Sequence, residues 1–270
     1  MSSPIAVFDS GEGGLTVLKQ LVRRYPTQPF IYGADREHFP YGKKSLNEVR
    51  GWFFAFADFF LKKGASTIVI ACNTATAALR DSQTGTTIPL VGVIDAAVHS
   101  AAAATKNQRI GVLSTEATYH SNIYPDRFRQ INPNIRVIAK PCPVLVLMAE
   151  NGHVAGRNVY AEVLECVSPV LDSGVDTIIL GCTHFPHMRE VFNQVVGNRA
   201  HIVDPGETIA DSLPSFVAPE PDSGTMPLIS AWTTGDPAVF ATMSQKLCPD
   251  LPIECRALGW NGSILVDLSS

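Results

Sequence analysis

The sequence predicts an α/β protein: two pseudosymmetric parallel-sheet domains facing each other across a cleft. Short apolar, β-branched runs alternate with longer stretches of helical periodicity, as expected of strands buried on both faces and joined by crossover helices. Three strand-end motifs also recur in one order. IAVFDSG from Ile5 is echoed by IGVLSTE from Ile110, IVIACNT around Cys72 by IILGCTH around Cys182, and LVGVIDA around Asp95 by HIVDPGE around Asp204. The three offsets are nearly equal. Any parallel sheet resembles itself, but cysteines matched in position at one spacing are harder to dismiss.

The expected strands are Ile5 to Phe8, Phe30 to Tyr32, Thr67 to Ala71, Leu90 to Val93, Arg109 to Leu113, Arg136 to Ala139, Thr177 to Leu180 and His201 to Val203. Between them, Leu15 to Tyr25 and Leu46 to Lys63 read most clearly as helices, the second closed by Gly64 where a left-handed C-cap is preferred. Its Trp52, Phe53, Phe54, Phe56, Phe59 and Phe60 read as core rather than as a ligand box. The small-residue stretch Ala96 to Thr105 reads as an alanine-rich helix crossing between domains, so the boundary falls just after Asp95. The segment from Glu207 carries Pro214, Pro219, Pro221, Gly224 and Pro227 with only short strand-like pieces, too little to stand alone. It is expected to return to the first domain. The division is then residues 1–96 with 208–270, and 97–207, with two crossings, a hinge, and a cleft as the natural binding site.

Composition narrows the function classes. The 270 residues are 46% hydrophobic and 17% charged, with a mean hydropathy of +0.12, far from a disordered composition and long enough for large cores. The formal charge is −4, and the only adjacent basic pairs are Arg23-Arg24, Lys43-Lys44 and Lys62-Lys63, so nucleic acid is not expected as a partner. MSSPIAVFDSG has no basic leader followed by an apolar core, and no run of about 18 apolar residues occurs, so a cytoplasmic protein without a membrane partner is expected. In that setting Cys72, Cys142, Cys166, Cys182, Cys248 and Cys255 are expected to remain thiols. There is no C-x-x-C, and Cys182-Thr-His184 with His187 lacks the paired spacing of a structural zinc site, so no metal is expected.

Ligands of parallel α/β sheets collect at the carboxyl ends of the strands. Cys72 ends IVIA and precedes Asn73-Thr74; Cys182 ends IILG and precedes Thr183-His184, with Pro186 placed for a helix start. A helix N-terminus beside each thiol favours the reactive thiolate and so predicts lowered proton affinity. A lone cysteine reads first as a small buried hydrophobe, and Cys142, Cys166, Cys248 and Cys255 are so read; the matched pair is read as functional.

Asp9 opens DSGEGG, whose glycine amides offer an anion site; the alternatives are a helix N-cap for the aspartate and a ligand-free tight turn for the glycines. Thr16 stands where a dinucleotide fingerprint needs its last glycine, no P-loop lysine follows, and Phe8 rules out a G-x-S-x-G elbow at Ser10. His184 is near enough to Cys182 to tune it or to donate to a carboxylate. His38, His99, His120, His153, His187 and His201 read as capping or surface residues. Glu150, after the strand-like CPVLVLMA, is either a cleft carboxylate or a solvated charge.

FDSGEGGLTVL, FPYGKKS, ACNTATAAL, IGVLSTEATYHSNIY, CPVLVLMAENG, LGCTHFP and VDPGETIA, in this order over nearly the whole chain, resemble glutamate racemase of the cofactor-independent aspartate/glutamate racemase group. The resemblance implies inversion at the glutamate α-carbon by two opposed cysteines, one a thiolate base while the other is a thiol acid. By the same resemblance Cys72 acts on the D isomer with help from Asp9, and Cys182 on the L isomer with help from His184 and Glu150. It places substrate contacts on Asp9, Ser10, Tyr41, Gly42, Asn73, Thr74, Thr118, Thr183 and His184. It also implies no cofactor, a homodimer, and D-glutamate supplied to peptidoglycan. Glu12 stands at a position commonly apolar in the family and His38 where Arg is common; Thr76 fits glutamate racemases better than their aspartate relatives. Apart from the resemblance, the residues leave open an aspartate or other acidic amino-acid racemase, a Cys-His amide hydrolase or transferase, and a non-catalytic amino-acid binder.

Overall fold

The computed structural model describes residues 2–80, 86–213 and 228–268. It is a mixed α/β fold of two sheets. The strands are β1 (Ile5–Asp9), β2 (Phe30–Ala34), β3 (Thr67–Ile70), β4 (Leu90–Gly92), β5 (Arg109–Ser114), β6 (Arg136–Pro141), β7 (Thr177–Gly181), β8 (His201–Val203), β9 (Ile229–Thr233), β10 (Ile253–Asn261) and β11 (Ile264–Asp267). All eight strands anticipated up to Val203 are present. The first sheet runs β11-β10-β9-β2-β1-β3-β4 and the second β6-β5-β7-β8. The core of the first, β2-β1-β3-β4, therefore repeats the order of the second strand for strand. Every pairing is parallel except β10 with β11.

β1, β3, β5 and β7 bury almost every residue because helices cover both faces of their sheets. The helix Leu46–Lys62 starts at a capping box, the Ser45 hydroxyl accepting from the Glu48 amide while Glu48 accepts from Ser45, and it ends before Gly64 at φ +82°. Phe53, Phe56, Phe59 and Phe60 on it are buried, as is Phe8 of β1, whose ring lies 4.9 Å from that of Phe56. Trp52 and Phe54 are only half-buried.

Three local readings change. CPVLVLMA forms the helix Pro143–Glu150, with Pro143 in its first turn, because a short apolar run fits strand and helix equally and only its neighbours decide. The Asp95 and Asp204 echo is out of step: Asp95 lies inside the first turn of the helix Val93–Ala104, whereas Asp204 caps Pro205–Ile209 by accepting from the Gly206 amide at 2.8 Å. The C-terminal region holds a nine-residue strand, β10, not merely short pieces. Its alternating exposure gave it no continuous apolar run. β9 pairs with β2, so this region extends the first sheet. Pro214, Pro219, Pro221, Gly224 and Pro227 lie outside the described residues.

The two sheets share a core. One cluster of contacting buried side chains runs from Val7 and Tyr32 in the first sheet, through Ile94, Val98 and Ala101 on the helix Val93–Ala104, to Val112, Tyr124 and Ile179 around the second. No helix among the described residues is long and apolar enough to cross a membrane.

Candidate active site

Equivalent strands deliver equivalent residues. β1 ends in Asp9-Ser10 and β5 in Ser114-Thr115; β3 is followed by Cys72-Asn73-Thr74 and β7 by Cys182-Thr183-His184. These carboxyl ends meet in one cavity of about 300 Å³, mouth included. Its walls are Ser10, Phe39, Pro40, Tyr41, Gly42, Cys72, Asn73, Thr74, Thr115, Val146, Cys182, Thr183 and His184. A larger hollow of about 1210 Å³, bounded by Val154, Arg157, Tyr160 and Met188 among others, contains neither of these cysteines, so size alone does not locate the chemistry.

Of the residues singled out in the sequence, nine line this cavity and three stand directly behind it. Asp9 is fully buried, accepting from the Thr183 hydroxyl at 3.2 Å across the cleft and from the Gly11 amide at 3.0 Å. Thr118 shares hydroxyl hydrogen bonds with Thr74 at 3.2 Å and Thr115 at 3.0 Å. Glu150 accepts from His184 Nε2. Asn73 is fixed from the other domain, its side-chain oxygen taking the Tyr124 hydroxyl at 2.7 Å.

The glycine loop does bind a carboxylate, but that carboxylate is its own. The Gly11 and Gly14 amides turn onto Asp9, so they are not left open for an incoming anion. Burial raises the Asp9 pKa above the usual carboxylate range, against the pull of His184 and of its own hydrogen bonds.

The expected lowering of the thiol fails at Cys72. This residue does cap the helix Asn73–Ala78, but burial and the charge of Asp9 push its proton affinity well up, and the Ala75 amide only moderates the effect. A six-residue helix cannot outweigh desolvation of a thiolate. Cys182 is not followed at once by an α-helix. A 3₁₀ turn, Phe185–Met188, intervenes before Arg189–Val196.

Cys182 Sγ lies 3.7 Å from His184 Nδ1. Burial alone would hold the His184 imidazole down, but Cys182, Asp9 and Glu12 outweigh it and raise its pKa. His187, read as capping or surface, is half-buried, and desolvation of its ring lowers its pKa to about 3. All six cysteines are free thiols, and Cys142, Cys166 and Cys248 are buried away from the cavity.

Sequence reasoning missed Thr115, Phe39, Asp35 and Arg36. Thr115 was signalled by the repeat, since it stands to β5 as Ser10 stands to β1. Asp35 had no such signal. Fully buried, it accepts from Tyr41 at 2.6 Å, His38 at 2.9 Å, Thr234 at 2.9 Å and Trp260 at 3.1 Å, tying the Tyr41 turn to the C-terminal strands. His38 is stacked on Trp52 at 4.0 Å. Arg36 forms ion pairs with Glu150 and, at 3.3 Å, with Glu12.

The sequence profile of the Asp/Glu/Hydantoin racemase family matches residues 9–213, from the aspartate ending β1 to just beyond the second sheet. The chain belongs to that family. It is an isomerase, and the racemase fold described here has close counterparts. It is 42% identical over 254 residues to the glutamate racemase of Symbiobacterium thermophilum, covering 91% of each chain. Among solved structures, a glutamate racemase isoform from Bacillus anthracis superposes with a TM-score of 0.88 at 30% identity, over 97% of this chain and 98% of that one. The Francisella tularensis glutamate racemase, solved in complex with D-glutamate, gives a TM-score of 0.83 at 30% identity over 96% and 97%.

Proposed function

We propose that the racemase interconverts L- and D-glutamate without a cofactor, by proton transfer between two cysteines and the α-carbon. One observation carries the reading: Cys72 and Cys182 follow corresponding strands of two like-ordered sheets and line the same cavity. A single base would have to return its proton to the face it came from. Two bases on two domains invert the centre.

From L-glutamate, the Cys182 thiolate takes the α-proton, so a C–H bond breaks and an S–H bond forms, the electron pair passing into the substrate carboxylate. The Cys72 thiol then gives its proton to the opposite face and becomes the thiolate. The reverse reaction exchanges these roles. His184, backed by Glu150, manages the proton at Cys182; Asp9 stands behind Cys72 and Ser10. Because burial and the charge of Asp9 raise the proton affinity of Cys72, the substrate ammonium is the positive charge that stabilises a thiolate there. Ser10, Asn73, Thr74, Thr118 and Thr183, with the turn at Tyr41-Gly42, offer hydroxyls, amides and backbone donors to the two carboxylates and the ammonium. The division of the chain into 1–96 with 208–270 and 97–207, a homodimer in the cytoplasm, and delivery of D-glutamate to peptidoglycan belong to the same proposal.

Incubating L-glutamate with the enzyme in deuterated water, without added cofactor, should exchange the α-hydrogen and erase optical rotation. Cys72→Ser and Cys182→Ser should each abolish racemisation, by more than about a thousandfold, with the circular dichroism spectrum unchanged. Full activity in either removes that thiol from the mechanism. Exchange of aspartate in place of glutamate would change the substrate, and binding without exchange would leave only a binder.

A further inference from the structure

The two cysteines are served unequally. On the Cys72 side stand Ser10, at 4.0 Å, and Asp9. On the Cys182 side a chain of alternating charge continues past His184 and Glu150 into the other domain, to Arg36 and then Glu12. Arg36 follows β2 and Glu12 follows β1, while Glu150 ends the helix Pro143–Glu150 that follows β6. The Arg36–Glu150 pair therefore crosses the cleft.

The chain is enclosed. The side chains of Glu12, Glu150 and Arg36 are 3%, 10% and 26% exposed. The Arg36 guanidinium lies 4.9 Å over the Phe39 ring, and that ring lies 5.7 Å from the His184 imidazole. A side chain on Gly11 would come within 3.1 Å of Glu150 Oε1 and 3.4 Å of Arg36 Nη1, so the loop after β1 closes over the pair. A carboxylate so buried keeps its charge and place only with a paired cation, and an arginine stays charged at any working pH. Glu12 has a different task. It pairs at 3.3 Å with Arg36 Nη1, the same guanidinium nitrogen that faces Glu150, and so holds that nitrogen from the first-sheet side.

We propose that Arg36, steadied by Glu12, is a positioning residue for the Cys182 half of the reaction: it fixes Glu150, and through Glu150 the orientation of His184 toward Cys182. This rests on the racemase reading of the site. Behind Cys72 the described residues place Asp9 and Ser10 but no such ion-pair chain, so the loss of Arg36 acts on one of the two proton transfers.

The experiment compares wild type with Arg36→Met, Arg36→Lys and Glu12→Gln. Because the two enantiomers are equally stable, kcat/KM must fall equally in both directions and cannot reveal the asymmetry. Primary deuterium isotope effects can. Arg36→Met should lower kcat/KM by about 10- to 100-fold, and the isotope effect with L-[2-²H]glutamate should rise relative to that with D-[2-²H]glutamate, since only from the L side does Cys182 remove the label. Arg36→Lys should restore part of the rate and Glu12→Gln should shift the ratio less in the same sense, with melting curves confirming folded protein. Wild-type kinetics in Arg36→Met, or a slower enzyme with an unchanged ratio of isotope effects, overturns the proposal. A second readout needs no turnover: the downfield proton resonance of His184 Nε2–H bonded to Glu150 should be present in wild type and lost or shifted in Arg36→Met. If that resonance is unmoved, Arg36 does not position His184, whatever reaction the enzyme performs; failure of the racemase reading appears separately, as absent α-hydrogen exchange in wild type.

Discussion

A methyl group on Gly13 would lie 2.6 Å from Thr183 Oγ1 and 2.8 Å from the His184 ring, so this glycine is a point where the loop after β1 touches the turn after β7 that carries Thr183 and His184. Gly13→Ala is expected to fold, at a cost of about 1 to 3 kcal/mol, while kcat/KM falls at least about tenfold; a melting curve and steady-state rates separate the two effects. Tyr41→Phe deletes a hydroxyl that donates to buried Asp35 at 2.6 Å. Asp35 keeps His38, Thr234 and Trp260, so the expected loss is at the lower end for a bond to a charged group, about 1 to 2 kcal/mol by urea titration. The residues proposed to carry the reaction chemistry were legible as candidates in the sequence because they sit at strand ends beside glycines and hydroxyls. Arg36 and Glu12 were not. Their meaning lies in Glu150, more than a hundred residues further along, and no local pattern announces a pairing made only by two domains meeting.

At the scale of elements, the sequence marked its strands well, because parallel strands buried on both faces are continuous apolar runs. It marked half-exposed strands and short crossovers poorly. β10 is half exposed and alternates, and the helix Pro143–Glu150 is too short for its period to be distinct. Helix caps, too, carry information that composition hides. Asp204, the N-cap of Pro205–Ile209, is buried, and that burial raises its pKa from 3.8 to about 6. The folded state therefore holds this proton more tightly than the unfolded chain does. The contribution favours folding below about pH 4 and is lost as pH rises through about 6. Asp204→Asn keeps a capping oxygen but cannot ionise. Relative to that variant, wild type should lose about 1 to 3 kcal/mol of stability between pH 4 and pH 7, measured by urea unfolding; parallel pH profiles for the two proteins would show that Asp204 ionises without penalty.

For the whole molecule, the repeat seen in the sequence is real in topology, since both sheets share one strand order, yet the domains do not have separate interiors. The cluster running through Ile94, Val98 and Ala101 joins them. Unfolding is accordingly expected to be one transition. All three tryptophans, Trp52, Trp232 and Trp260, belong to the first sheet and its helices, whereas circular dichroism reports both domains. Coincident urea curves from the two signals are expected, and well-separated midpoints would mean that the domains melt independently.

The Asp35 cluster has a consequence for biosynthesis. Two of the groups that hold this aspartate, Thr234 and Trp260, come 199 and 225 residues after it, while the turn it anchors is complete after Gly42. Synthesis runs from the N-terminus, so Cys72 and Cys182 both emerge before those two groups exist. The Tyr41 turn is therefore expected to gain its full set of anchors only once β9 and β10 have been made and docked.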